Sequence, residues 1–172
     1  MIPDDVRERV TGYIRHQATK SRESIVDLVR TSQQRYIDAI SPADEERAAK
    51  KPGPEEWSLR ELVRHVISAQ GAVVDLVHHL SRGAVPPQQE GPRGIGMQIE
   101  DDGRPFAAYI DDLRQVNVRL IDAIAQAPET PDLELKAPHP FFGPLNSMEW
   151  AVFQRVHDED HVQHAQKILA AI

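Results

Sequence analysis

Three imidazoles stand in one stripe near the end of this chain. The segment Val156-His157-Asp158-Glu159-Asp160-His161-Val162-Gln163-His164 spaces its histidines four and then three apart, so on a helix they share a face. Read outward at helical spacing, the stripe runs Trp150, Phe153, His157, His161, His164 and Ile168, which sets imidazoles where apolar side chains should fill a core. Something has to satisfy them there, and two rings one turn apart can grip a divalent ion. At a rise of about 1.5 Å per residue, His157 and His161 lie roughly 6 Å apart along the axis, a gap that a tetrahedral ion with bonds of about 2.0–2.1 Å to nitrogen bridges as the side chains converge. His157 and His164 are about 10 Å apart along the axis and cannot share one ion. His161 with His164 is the competing pair. The other reading is a set of core histidines hydrogen-bonded to carboxylates such as Asp158 and Asp160. The chain lacks the glutamate after the first His that marks zincin proteases, which argues against that chemistry.

The composition bounds what else the chain can be. Its 172 residues suit one domain, residues 1–172, long enough to bury about 70% of its unfolded surface. The absence of cysteine excludes disulfides, thiolate metal ligands and a cysteine nucleophile. A net charge of −7 without a basic stripe argues against nucleic acid as a partner. No apolar run approaches about 18 residues and the N-terminus is polar and charged, so neither a membrane span nor a secretory signal is expected, and the chain reads as cytoplasmic. Aromatic content is only 5% and β-branched runs of period 2 are scarce, which points to an all-α fold.

Four long helices are needed to position the histidines. Ser58-Leu59-Arg60-Glu61 is a capping box, with Trp57 and Leu62 as its apolar staple, and it starts a helix whose buried stripe is Leu62, Val66, Ala69, Val73, Leu76 and Leu80. Asn146-Ser147-Met148-Glu149, with Leu145 and Trp150, repeats the device and starts the last helix, which runs toward Ile172. Two further amphipathic helices are expected over roughly 22–40, ending before Ser41-Pro42, and over about 105–127, ending before Pro128. Residues 1–20 form an N-terminal extension that reads as helical over 4–20 and continuous with the next helix, with Gly12 weighing against it. A Pro/Gly-rich connection runs from Gly83 to Pro105, and an irregular one from Pro128 to Pro144 contains His139-Pro140-Phe141-Phe142-Gly143. Together these describe a four-helix bundle with long connections, a fold that builds metal sites from inward side chains of facing helices.

A site of this kind calls for a third ligand on another helix. His65 lies three residues after Leu62 and four before Ala69, on the buried side of its helix. A partly buried histidine satisfied by a carbonyl or by Glu61 is the other reading. His78 and His79 lie about 20 Å farther along that helix and cannot reach the same ion. His16 falls in a charged segment, and His139 suits packing or a pocket wall as well as ligation.

In order along the chain, a Trp-Ser capped helix with a His seven residues after the Ser, a His-Pro-Phe-Phe-Gly stretch, a Trp-bearing helix start and His-x-x-x-His near the C-terminus together resemble the DinB-like superfamily, also called YfiT-like, over about residues 20–172. The resemblance implies a four-helix bundle of uncommon long-crossover topology, often dimeric, holding a divalent ion such as zinc or nickel on three histidines plus water. The matching positions are His65, His157 and His161. Many members carry Gln where this chain has His164, which leaves the His161/His164 pair open and allows His164 a supporting or substrate-facing role. Some relatives use low-molecular-weight thiols, as S-transferases or a maleylpyruvate isomerase. The implied activity is that of a metal-dependent enzyme acting on a small molecule through an open coordination position, of thiol-dependent S-transferase or isomerase type or of hydrolase type. Asp158 and Asp160 are the nearest candidates to fix the imidazole tautomers, a solvated acidic patch with Glu159 being the alternative. A bundle that binds metal or a small ligand without catalysis is the competing function. Ligating imidazole must be neutral, and from the free-histidine pKa near 6.5 the metal is expected to leave below about pH 6.

Overall fold

The computed structural model describes residues 3–87, 99 and 101–172. Six helices carry the fold: α1 (Asp4–Ala18), α2 (Arg22–Ile40), α3 (Glu45–Ala49), α4 (Leu59–Leu80), α5 (Phe106–Ala125) and α6 (Ser147–Ala171). Their starts follow from local chemistry. Ser58 accepts from the Glu61 amide while the Glu61 carboxylate accepts from the Ser58 amide at 2.8 Å, and Asn146 with Glu149 repeats the arrangement. Each side-chain cap of this sort contributes about 1 kcal/mol and fixes the rotational phase of everything downstream. Ser21 caps α2 through the Ser24 amide, so the N-terminal extension is a separate helix rather than a continuation of α2.

The four long helices α2, α4, α5 and α6 close a bundle. Packing runs α2 on α6, α6 on α4, α4 on α5 and α5 on α2, which leaves α2 and α4 on one diagonal and α5 and α6 on the other. The α2–α4 and α5–α6 connections therefore cross the end of the bundle instead of joining neighbours. The first crossing contains α3, which packs on α4. The second contains a two-stranded antiparallel hairpin, β1 (Ala137–His139) and β2 (Gly143–Leu145), in which His139 pairs with Gly143. This hairpin is the one departure from an all-α expectation. Strands of three residues are too short to show a period-2 pattern, and the turn depends on Gly143 at φ +74°, open to glycine at little cost. Of the Pro/Gly-rich connection between Gly83 and Pro105, residues 88–98 and 100 lie outside the described residues.

The α1 helix lies against α6, with Ile14 fully buried and Val10 and Tyr13 packed on the core. Arg155 of α6 stands over the Tyr13 ring at 5.1 Å. The apolar residues of the extension that a four-helix core does not need are thus partly taken up by the chain itself. As a result the first two turns of α6, Ser147 to Gln154, are buried on every side.

Candidate metal centre

The capping box of α4 places His65 two turns into that helix, where it is 4% exposed and faces α6. The cap at Asn146 phases α6 so that His157 and His161 meet it. His157 Nε2 lies 3.3 Å from His65 Nε2 and 3.0 Å from His161 Nε2. The ligand atoms of these three residues all fall within 4.8 Å of one another, and they form the one such group of three or more among the described residues. Two nitrogens each about 2.0–2.1 Å from a tetrahedral ion are about 3.3 Å apart, so the spacing is that of a ligand set. The rings meet edge to face or tilted, with the His157 and His161 centroids 4.3 Å apart, and their nitrogens point inward together.

Electrostatics favour neutral rings. Burial is the largest cause in every case, and the proximity of the other imidazoles adds to it: His157 is pushed down to about 3 and His161 to about 2. Both therefore keep a lone pair available far below pH 6.5. If His157 Nε2 bears a proton, it can donate to only one of its two close nitrogens, so the metal-free trio is poorly satisfied by its own hydrogen bonds. The donor set, the spacing of its two close contacts and the neutral state of His157 and His161 fit a divalent metal ion.

His164 does not join the convergence. Its ring is half-buried, 6.0 Å from that of His161, and it leans on Trp57 at 5.6 Å. Trp57 also meets His65 edge-on at 5.2 Å, so indole and imidazole together form one wall of the centre. His78 is exposed and His79 partly so at the far end of α4, and His16 is exposed on α1.

The two readings of the acidic residues divide between them. Asp160 is exposed and raises the His164 pKa against the effect of burial. Asp158 is 1% exposed and belongs to no solvated patch. One position from His157, it is rotated by about 100° toward α2, where it accepts from Ser32 Oγ at 2.8 Å and from Gln154 Nε2 at 2.7 Å. Without a cation beside it, burial pushes the Asp158 carboxyl up to about 7. Glu159 is half-buried and pairs with Arg35.

Gln154 is the residue that reaches the trio. Its amide stands 3.5 Å from His157 Nδ1, one turn earlier on α6, and is held from behind by Asp158. Around it runs a polar layer spanning all four bundle helices: Gln70 of α4 donates to Asn117 of α5 at 2.8 Å, and Gln33 of α2 reaches the Asn117 carbonyl at 3.4 Å. Reading the sequence for chemistry missed this layer. A signal was present, since Gln70 falls between Val66 and Val73, and Asn117 between Leu113 and Leu120, at positions where the stripes demand apolar side chains. Two surface clefts, of about 470 and 450 Å³, lie beside α1 and are lined by other residues than the trio.

The DinB superfamily profile matches residues 28–165 of the chain. No curated protein matches it. Among solved structures, one described as TT2238, a four-helix bundle protein, aligns with a TM-score of 0.63 at 18% identity, covering 86% of this chain and 99% of the other. At that identity the likeness speaks for the fold.

Proposed function

The chain belongs to the DinB superfamily, and on that premise we propose that it holds one divalent ion, zinc or nickel, on the Nε2 atoms of His65, His157 and His161 and acts as a metal-dependent enzyme on a small molecule. The single observation that carries this reading is the trio of Nε2 atoms, with contacts of 3.0 and 3.3 Å, from two helices. No fourth His or acidic residue joins the group among the described residues. Three protein ligands with a position left over is the arrangement of catalytic rather than structural sites.

Bound there, a divalent ion lowers the pKa of a coordinated water or thiol toward neutrality. The chain's own part is positional. Burial keeps His157 and His161 neutral, and Trp57 with His164 walls the approach. With no cysteine in the sequence, a sulfur nucleophile has to arrive on a low-molecular-weight thiol cosubstrate, which makes S-transfer or thiol-assisted isomerisation the favoured chemistry. A homodimer is part of the proposal on family grounds. A second reading, a bundle that binds metal without turnover, draws support from the burial of His65 and His161.

Elemental analysis of protein purified without an affinity tag tests the proposal. One ion per chain is expected, lost on changing His65, His157 or His161 to Ala while helicity is kept. Full occupancy in all three variants would sink the assignment. Turnover of thiol and electrophile pairs, set against none in metal-stripped protein, then separates the enzyme from the passive bundle.

A further inference from the structure

About two turns before His157, where the hairpin meets α6, two ring N–H donors are buried without acceptors among the described residues. His139 ends β1 and is 3% exposed. Its Nδ1 accepts from the backbone amides of Phe141 at 3.1 Å and Phe142 at 3.2 Å. Those two contacts fix the tautomer, because a nitrogen accepting from peptide N–H groups carries no proton, and a neutral imidazole then bears it on Nε2. Burial holds the ring neutral by pushing its pKa down to about 4. Nε2 has no hydrogen-bond partner among the described residues, and neither does Nε1 of Trp150, whose ring lies 5.3 Å from that of His139. Phe153 touches both rings, at 4.4 and 5.5 Å, and lies 5.8 Å from His157. Buried donors are rarely left unpaired, since each then bears its whole desolvation cost. Two such donors on rings 5.3 Å apart, linked through Phe153 to His157 of the candidate metal centre, are left in need of an acceptor.

We propose that His139 Nε2–H and Trp150 Nε1–H form a subsite that takes a carboxylate or carbonyl oxygen of the molecule held at the centre, and so set its specificity. The inference rests on the metal reading above. It assigns the substrate or cosubstrate a metal-binding group at one end and an oxygen acceptor a few atoms away. Phe153, lying between, selects for an apolar link. The preformed turn supplies donor orientation at no cost on binding, because the backbone has already fixed the proton's place.

Cobalt(II)-loaded protein tests it through the absorption changes that follow thiol binding. The probes are 3-mercaptopropionate and 1-propanethiol, matched in length and differing in the carboxylate. Two variants isolate the donors: His139→Asn, whose Oδ1 can replace Nδ1 as acceptor for the turn while Nε2–H is lost, and Trp150→Phe. The ratio of the two thiol affinities is expected to fall tenfold or more in His139→Asn and severalfold in Trp150→Phe, with cobalt affinity and propanethiol binding unchanged. An unchanged ratio in a variant that still takes up cobalt would overturn the subsite. Loss of cobalt uptake in both variants would also overturn it, by showing that the rings only build the centre. Failure of the unaltered protein to bind cobalt would overturn the metal reading, and this one with it.

Discussion

Replacing Asp158 by Asn should make the metal-free protein more stable, and increasingly so as pH rises. The carboxyl has an ordinary pKa of 3.8 and is raised by burial to about 7 in the fold. A group whose folded pKa lies above its unfolded value stabilises fully below the unfolded value and loses that contribution as pH rises toward the folded one. The gap is roughly 3 units, and at about 1.4 kcal/mol per unit the ionised form costs the fold about 4 kcal/mol above pH 7 and about 2 kcal/mol at pH 5. The amide keeps the hydrogen bonds. Its oxygen accepts from Gln154 as before, and its NH₂ donates to Ser32 Oγ, whose own proton then turns from Asp158 to the Val29 carbonyl 2.9 Å away. Urea denaturation followed by circular dichroism at pH 5 and pH 8 measures the difference, in which the histidines common to both proteins cancel. The variant's advantage should grow by about 2–3 kcal/mol between the two conditions. A pH-independent difference, or an amide variant less stable at pH 8, would refute the account of this carboxyl.

Changing His164 to Gln should leave metal occupancy nearly intact, whereas His157→Ala should lose affinity by orders of magnitude, since only His157 belongs to the converging trio; competitive titration of the two variants side by side checks this, and the reverse order would restore the His161/His164 pair. Because His139, His157 and His161 all have lowered folded pKa values, acid favours the unfolded chain once pH drops below the unfolded value near 6.5, by about 1.4 kcal/mol per unit for each; metal-free Asp158→Asn should accordingly lose stability steeply from pH 6 to 4. Metal release should follow that unfolding rather than the titration of a free imidazole, so ion and helicity measured together are expected to leave together, below pH 6. Light scattering should report about twice the 19.4 kDa chain mass, and a monomer at micromolar concentration would remove the dimer.

Much of the fold was legible because its signals are local. The capping boxes at Ser58 and Asn146 and the stripes they phase come from hydrogen bonds within one turn and from 3.6-residue periodicity, and both helices start where those signals stand. The stripes brought His65, His157, His161 and His164 forward as candidates, since imidazoles on buried faces have few ways to be satisfied, but spacing left the His161/His164 pair open and only the resemblance pointed to the first three. The diagonal order of the helices was not, because the chain does not encode in any short window which neighbour a helix will choose. Asp158, Gln154 and His139 mark the same boundary. Nothing in an acidic run reveals that α2 will lie over Asp158 and leave Asp160 in water, and nothing in His-Pro-Phe-Phe reveals that two peptide amides will fix the proton of an imidazole. Periodicity in the sequence sets the side of a helix on which a residue stands; only the packing of segments distant along the chain decides what it meets there, and with it the charge, the tautomer and the chemistry.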